Sequence, residues 1–221
     1  RKTTLASVDS EGKLANSVSE SPAISANGRF VAFVSSASNL VLDDTNGLDD
    51  VFVHDRESGE TIRVSVSSSG EQANGSSFAS GRPSLSADAF GSRAANLVLD
   101  DRNDAQDVFI HDLLTRATTR VSVSSGGEEG IGDSYGPSLS GDGRFIAFTS
   151  RAPNLVPGDT NGLYDIFVRD LVAGQTSRVS VSSSGEEAQQ DPDAAVRSGG
   201  SSGAAISADG RFVAFDESRP W

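Results

Sequence analysis

The chain has 221 residues, 36% of them hydrophobic, with 23 glycines, no cysteine and a formal charge of -13. That charge repels a phosphate backbone unless a basic patch reverses the local field, and no Lys/Arg cluster is present, which argues against nucleic acid as a partner. Without cysteine there are no disulfides, thiolates or Cys-based zinc sites, and no run of about 18 apolar residues offers a membrane span.

Taken in order, the chain opens with RKTTLASVDSEGKLANSVSE, whose Leu5 to Gly12 stretch matches Arg63 to Gly70, Arg120 to Gly127 and Arg178 to Gly185. The matching glycines stand at 12, 70, 127 and 185, so the interval is 57 or 58 residues. Regular self-similarity of this length marks a repeat architecture. The chain contains no methionine and starts inside a repeat, so a processed or partial product is expected.

Each period holds four short strands. The first lies around Ile24, Leu85, Leu139 or Ile206, in SPAIS, RPSLS, GPSLS and GAAIS. Asn27-Gly28, Asp142-Gly143 and Asp209-Gly210 follow, the chemistry of a two-residue type I′ hairpin. The second strand reads RFVAFVS from Arg29, RFIAFTS from Arg144 and RFVAFDE from Arg211, apolar on both faces and so expected to be buried on both sides. The third is Val51-Phe52-Val53 with copies at Val108-Phe109-Ile110 and Ile166-Phe167-Val168. The fourth is RVSV, expected as a half-exposed outer strand with Val64 and Val66 facing one way.

The combination S-x-D-G-R-F-V-A-F, D-V-F-V-x-D and T-x-R-V-S-V resembles the TolB-type, WD-like repeat of bacterial β-propellers. The resemblance implies an all-β propeller, or propeller fragment, of four-stranded antiparallel blades with about 58 residues per repeat, its ring closed by the N-terminal strand. A single domain over 1–221 is then divided into blades 21–82, 83–136 and 137–203, and a shared blade from 204–221 plus 1–20. Nothing after Phe215 resembles D-V-F-V, so the shared blade lacks its third strand. In the second blade SADAFGSRAANL lacks a GRFV equivalent, and a shortened inner strand is expected between Asp88 and Ala94. The Gly/Ser-rich connector 186–203 reads as a mobile surface loop.

Three Asp/Asn turns are the candidate sites: Asp44, Asn46 and Asp50; Asp101, Asn103 and Asp107; Asp159, Asn161 and Asp165. Oxygen side chains at positions one, three and seven suit calcium, which takes six to eight oxygen ligands in a flexible shell. The same residues also suit Asx-turns, with Asn46-Gly47 and Asn161-Gly162 supplying positive φ. His54 and His111 hold equivalent positions in successive repeats, with Arg169 in the third, and a zinc pair is disfavoured because repeat-equivalent residues lie on different blades. Arg63, Arg120 and Arg178 are expected to pair with Asp55, Asp112 and Asp170 across the last hairpin. Gly199-Gly200-Ser201-Ser202-Gly203 matches a nucleophile elbow but lies in a loop followed by a strand, not between a strand and a helix. Trp221, Tyr135 and Tyr164 are too few for a sugar platform on every blade.

These readings point to a non-enzymatic, exported (secreted or periplasmic) binding or scaffold module. Its ligand, a protein or carbohydrate, is expected at a loop face, as the resemblance implies, and calcium is the one expected cofactor. The alternatives are a propeller hydrolase or lyase acting on polysaccharide or peptide, and a self-associating structural subunit of an extracellular assembly.

Overall fold

Short alternating runs of Val, Ile and Phe, each bounded by Asn, Asp and Gly, favour strands over helices. The computed structural model describes residues 3–79, 87–188 and 200–217, and among them it holds fourteen strands and no helix. The first sheet is β1 (Ser19–Ile24), β2 (Phe30–Ser35), β3 (Asp50–Asp55) and β4 (Thr61–Arg63), antiparallel and in chain order. The second repeats this with β5 (Ser77–Ala79), β6 (Ala87–Ser92), β7 (Asp107–Asp112) and β8 (Thr118–Arg120). The third does so with β9 (Ser134–Leu139), β10 (Phe145–Ser150), β11 (Asp165–Asp170) and β12 (Gln175–Arg178), and β13 (Ser201–Ile206) pairs with β14 (Val213–Glu217) in a two-stranded sheet.

The core lies between sheets. Ala32, Val34, Val51 and Val53 of the first sheet pack on Phe90 and Phe109 of the second. Ala89, Val108 and Ile110 of the second pack on Ile146, Phe148 and Phe167 of the third. One face of each sheet is thus small or β-branched and the other carries a pair of stacked rings. Those pairs are Phe33 with Phe52, Phe90 with Phe109, and Phe148 with Phe167, at 5.8, 5.8 and 5.9 Å between centroids. Fully burying one such side chain contributes roughly 1.5–3 kcal/mol.

Successive repeats are stitched by side chains that take carbonyls of the preceding repeat's tail. Thr61 Oγ1 donates to the Val8 carbonyl (2.6 Å), Thr118 Oγ1 to that of Val66, and Thr176 Oγ1 to that of Val123 (2.6 Å). The amides of Asn39, Asn96 and Asn154 donate to Leu14, Gln72 and Glu129 carbonyls at 2.8, 3.0 and 2.7 Å. Residues 8–16 therefore dock on the first sheet as the tail of one repeat docks on the next.

Several expectations are corrected. The fourth strand is Thr61–Arg63 and its copies, not RVSV; Val64 and Ser65 are wholly buried, because Ser65 Oγ binds Asp50 and the Val51 N–H. The hairpin at Asn27-Gly28 is not type I′: of its two residues only Gly28 has positive φ, the Gly28 N–H bonds the Ser25 carbonyl, and the Asn27 carboxamide oxygen accepts the Arg29 N–H. The second blade's inner strand is not shortened; β6 spans six residues like β2 and β10. Its register sets Asp88 opposite His111, where Val31 faces His54 and Ile146 faces Arg169. Among the described residues no strand forms over residues 3–7, and β13 and β14 form a sheet of two strands. The strand expected around Leu85, most of the connector 186–203, and Trp221 lie outside the described residues.

Phe109 is fully buried at the seam between two sheets. Phe109→Ala is expected to cost about 3–5 kcal/mol, as large core truncations do, read from urea unfolding against wild type.

Candidate functional site

The three Asp/Asn turns connect the second and third strands of each four-stranded sheet, and each folds onto an arginine. The Asn46 carboxamide oxygen accepts the Leu48 N–H (3.1 Å), while its amide donates to Asp50 Oδ2 (2.9 Å) and to the Ala73 carbonyl (3.1 Å). Reversing that amide would set its oxygen against two other oxygens, so the orientation is fixed by its partners. Asp50 Oδ1 accepts the Ser65 hydroxyl at 2.5 Å. Arg63 Nη1 lies 3.2 Å from Asp44 and 3.4 Å from Asp50.

The other copies repeat this and add a carboxylate. Asn103 donates to Asp107 (2.8 Å), and Arg120 meets Asp101, Asp107 and Glu129 at 3.4, 3.4 and 2.8 Å. Asn161 donates to Asp165 (3.0 Å), and Arg178 meets Asp159, Asp165 and Glu187 at 3.3, 3.5 and 2.7 Å. The structure thus brings together each predicted trio, but around a guanidinium, with the Asn presenting N–H groups to the carboxylate. Among the described residues no group of three or more acidic or imidazole side chains is arranged to hold a metal ion. Burial, reinforced by the Asp107 carboxylate and opposed by Arg120, pushes Asp101 up to about 6; Asp159 is raised to about 6 by burial and its neighbour Asp165.

The expected pairing of Arg63 with Asp55 is overturned by register. Arg63 stands opposite Phe52, three residues from Asp55, or roughly 10 Å along a strand. Asp55 instead takes Arg29 at 2.6 Å, and Asp170 takes Arg144 at 2.7 Å; both carboxyls are held below the usual range by those hydrogen bonds. Asp112 has no counterpart of Arg29 and Arg144, because the second repeat's sequence lacks the Gly-Arg-Phe-Val stretch, and it accepts the Leu114 and Thr115 N–H groups.

His54 and His111 lie on different sheets and serve the seams. Nδ1 of each is 2.9 or 2.8 Å from Thr61 or Thr118 Oγ1. Each hydroxyl gives its one proton to a carbonyl, so Nδ1 must be the protonated nitrogen and Nε2 a bare acceptor. Burial lowers His111 to about 4.

Sequence reasoning missed Asp88. It is 1% exposed, neither carboxyl oxygen is hydrogen-bonded, and the Nε2 of His111, its cross-strand neighbour, is likewise without a partner. Burial drives its pKa up to about 8; the Ala89 N–H opposes this but lies outside hydrogen-bonding geometry. The available signal was the absence from the sequence of a Gly-Arg-Phe-Val stretch before Ala89-Phe90, which sets an Asp at the strand position held by Val31 and Ile146 elsewhere.

A groove of about 910 Å³ lies between β1, β9 and β13. Among the described residues Ser, Ala, Pro, Ile and Leu line it, with no charged side chain, although the chain as a whole carries -13. Each of these strands stands at an end of its sheet order, and the Ile206 N–H of β13 donates to Ser138 Oγ of β9 at 3.1 Å.

This architecture defines a β-propeller class of protein. In fold the chain is similar to TolB from Acinetobacter baumannii, with 18% identity and a TM-score of 0.50 over 91% of this chain and 39% of that one. It is also similar to a protein assigned as TolB from Agrobacterium tumefaciens, with 16% identity and a TM-score of 0.57 over 94% of this chain and 56% of that one. The chain therefore spans only about two fifths to just over half of those proteins, and the likeness concerns the fold: a TolB-like β-propeller. No family model matches the sequence, and no curated protein matches it.

Two outcomes follow. Arg120→Ala leaves the buried Asp107 without its cation and is expected to cost about 3 kcal/mol. A melt lowered by chelation and restored by calcium would identify a cation as the holder of these turns. For Asp88 the folded pKa lies above the unfolded one, so the folded state loses stability as pH rises from about 4 to about 8 and the full cost stands above 8. Asp88→Val should stabilise by about 1–3 kcal/mol near pH 7 and flatten the decline between pH 7 and 9 in paired urea melts.

Proposed function

We propose that this chain is a non-enzymatic binding module whose ligand lies in the groove between β1, β9 and β13. The observation that carries the reading is the groove itself: among the described residues its walls are small and uncharged, and the three strands that form them stand at the ends of their sheet orders. Such edges offer alternating N–H and C=O groups at a spacing an extended peptide matches, and small residues let its backbone approach. A peptide segment of a protein partner fits this better than a charged ligand does, and an uncharged glycan is the second candidate. Export to a periplasm or to the medium, and closure of the ring by the N-terminal segment, belong to the same proposal and rest on the sequence resemblance.

Ala205 is exposed on the groove wall, so Ala205→Arg should block the site without disturbing the core. On paired peptide and glycan arrays, wild type is expected to retain ligands that the variant loses, with unchanged circular dichroism and melting. Retention indifferent to the substitution, or none on either array, would overturn the reading; cleavage of an arrayed ligand would point to the hydrolase alternative.

A further inference from the structure

The tail turn at 9–12 meets the loop that carries Leu42, the turn at 67–70 the loop of Leu99, and the turn at 124–127 the loop of Pro157. The residue after the glycine of each turn is Lys13, Glu71 and Glu128 respectively, so of these three meetings only the middle one joins an acid to a leucine. There a notch of about 380 Å³ opens. Leu97, Val98 and Leu99 supply its apolar lining, with Leu97 buried and Leu99 fully exposed. Its hydroxyls are spent within the protein: those of Ser67 and Ser69 lie 2.8 Å apart, and Ser68 Oγ accepts the Thr118 N–H at 2.9 Å and donates to the Thr118 carbonyl at 3.2 Å. Leu99 is firmly mounted. Three residues before it the Asn96 amide holds the Gln72 carbonyl (3.0 Å), and one residue after it the Asp100 carbonyl accepts Arg120 Nη2 (2.7 Å). Glu71 lines this notch and also an adjoining one beside Leu42, Asp43 and Arg63. Arg63 is taken by Asp44 and Asp50, whereas the Glu71 and Asp43 carboxylates make no ion pair or hydrogen bond among the described residues.

We propose that this seam is a docking site for a basic segment of a partner polypeptide. One leucine-sized apolar side chain of that segment enters the notch beside Leu99, and neighbouring lysines or arginines meet Glu71 and Asp43. The two unpaired carboxylates set the sign of the partner's charge, and the spent hydroxyls leave the notch only an apolar contact to offer. A second copy is a poor occupant, since this chain carries -13 and has no Lys/Arg cluster. An anionic lipid surface or a nucleic acid is repelled for the same reason. Because Leu99 is already held in place, little ordering is lost on contact, and burial of apolar surface supplies the affinity. Ion pairs at such an exposed rim chiefly select the partner. The site is separate from the groove between β1, β9 and β13, with which its lining shares no residue.

The test uses the full chain and a fluorescent peptide, Lys-Arg-Leu-Lys-Arg, read by anisotropy. Saturable binding is expected, lost when the peptide Leu becomes Ser and lost when its four cations become Glu. Leu99→Ser should weaken it by about tenfold or more, the loss of one buried leucine contact. Glu71→Lys should weaken it by about fivefold, as the reversal of one exposed ion pair does. Glu128→Lys makes the same change of charge at the equivalent place in the next repeat and should leave binding unmoved. Leu99, Glu71 and Glu128 are exposed, so circular dichroism should report all three variants as folded. Absence of saturable binding overturns the proposal. Binding blind to the peptide Leu and to Leu99, or weakened equally by Glu128→Lys, is attraction to the overall charge and overturns it too. So does concentration-dependent self-association of the wild type that Leu99→Ser abolishes, since the notch would then serve a second copy. Blocking the groove with Ala205→Arg should leave peptide binding intact, so the two sites stand or fall separately.

Discussion

Each four-stranded sheet is tied to the chain segment before it by side-chain donors that capture that segment's backbone carbonyls. Thr61, Thr118 and Thr176 do this from the outer strand, and Asn39, Asn96 and Asn154 from the loop between the second and third strands. A lone four-stranded sheet of this composition would expose two apolar faces, and the Thr and Asn clamps set the distance and angle at which those faces meet. Aromatic pairs on one side and Ala, Val or Ile on the other then interdigitate without large gaps. The histidines belong to this seam, each orienting its threonine hydroxyl towards the carbonyl.

The charged residues work in two separate layers. The arginines at the ends of the outer strands draw the Asp/Asn turns inward, binding the longest loop of each sheet to its far strand. The arginines at the start of β2 and β10 stack on a Phe and hold the Asp that closes the third strand. Burial makes the first layer costly: paired acids crowd one guanidinium, and two of them are raised to about 6. The second layer is the more exposed of the two, with Arg29 and Arg144 side chains 39% and 45% accessible. Removing charge from the centre while crowding it at the rim leaves the groove as the neutral surface of an acidic molecule.

The repetition and the second and third strands of each repeat were legible in the sequence, because period-two alternation and turn residues are local signals. Phe52, Phe109 and Phe167 do lie in equivalent surroundings. The separation of His54 from His111 was equally legible, since equivalent positions in tandem units cannot converge. The candidate site was legible only as a list of residues. Asp44, Asn46 and Asp50 do meet, but the spacing of oxygen atoms along a chain carries no information about a guanidinium arriving from a strand thirteen residues beyond Asp50. Asp88 was hidden in the same way: the shorter sequence before Ala89-Phe90 shifts its register, and register is settled by which faces are buried.

By itself the sequence determined that a module of short antiparallel strands recurs and where its second and third strands run, because these depend on contacts between near neighbours in the chain. Tertiary structure decided which arginine meets which acid, where the N-terminal segment docks, which strand edges remain open and that an aspartate is sealed between sheets. Those outcomes turn on long-range register and on the packing of one repeat against the next, where a shift of a single residue turns every side chain to the opposite face.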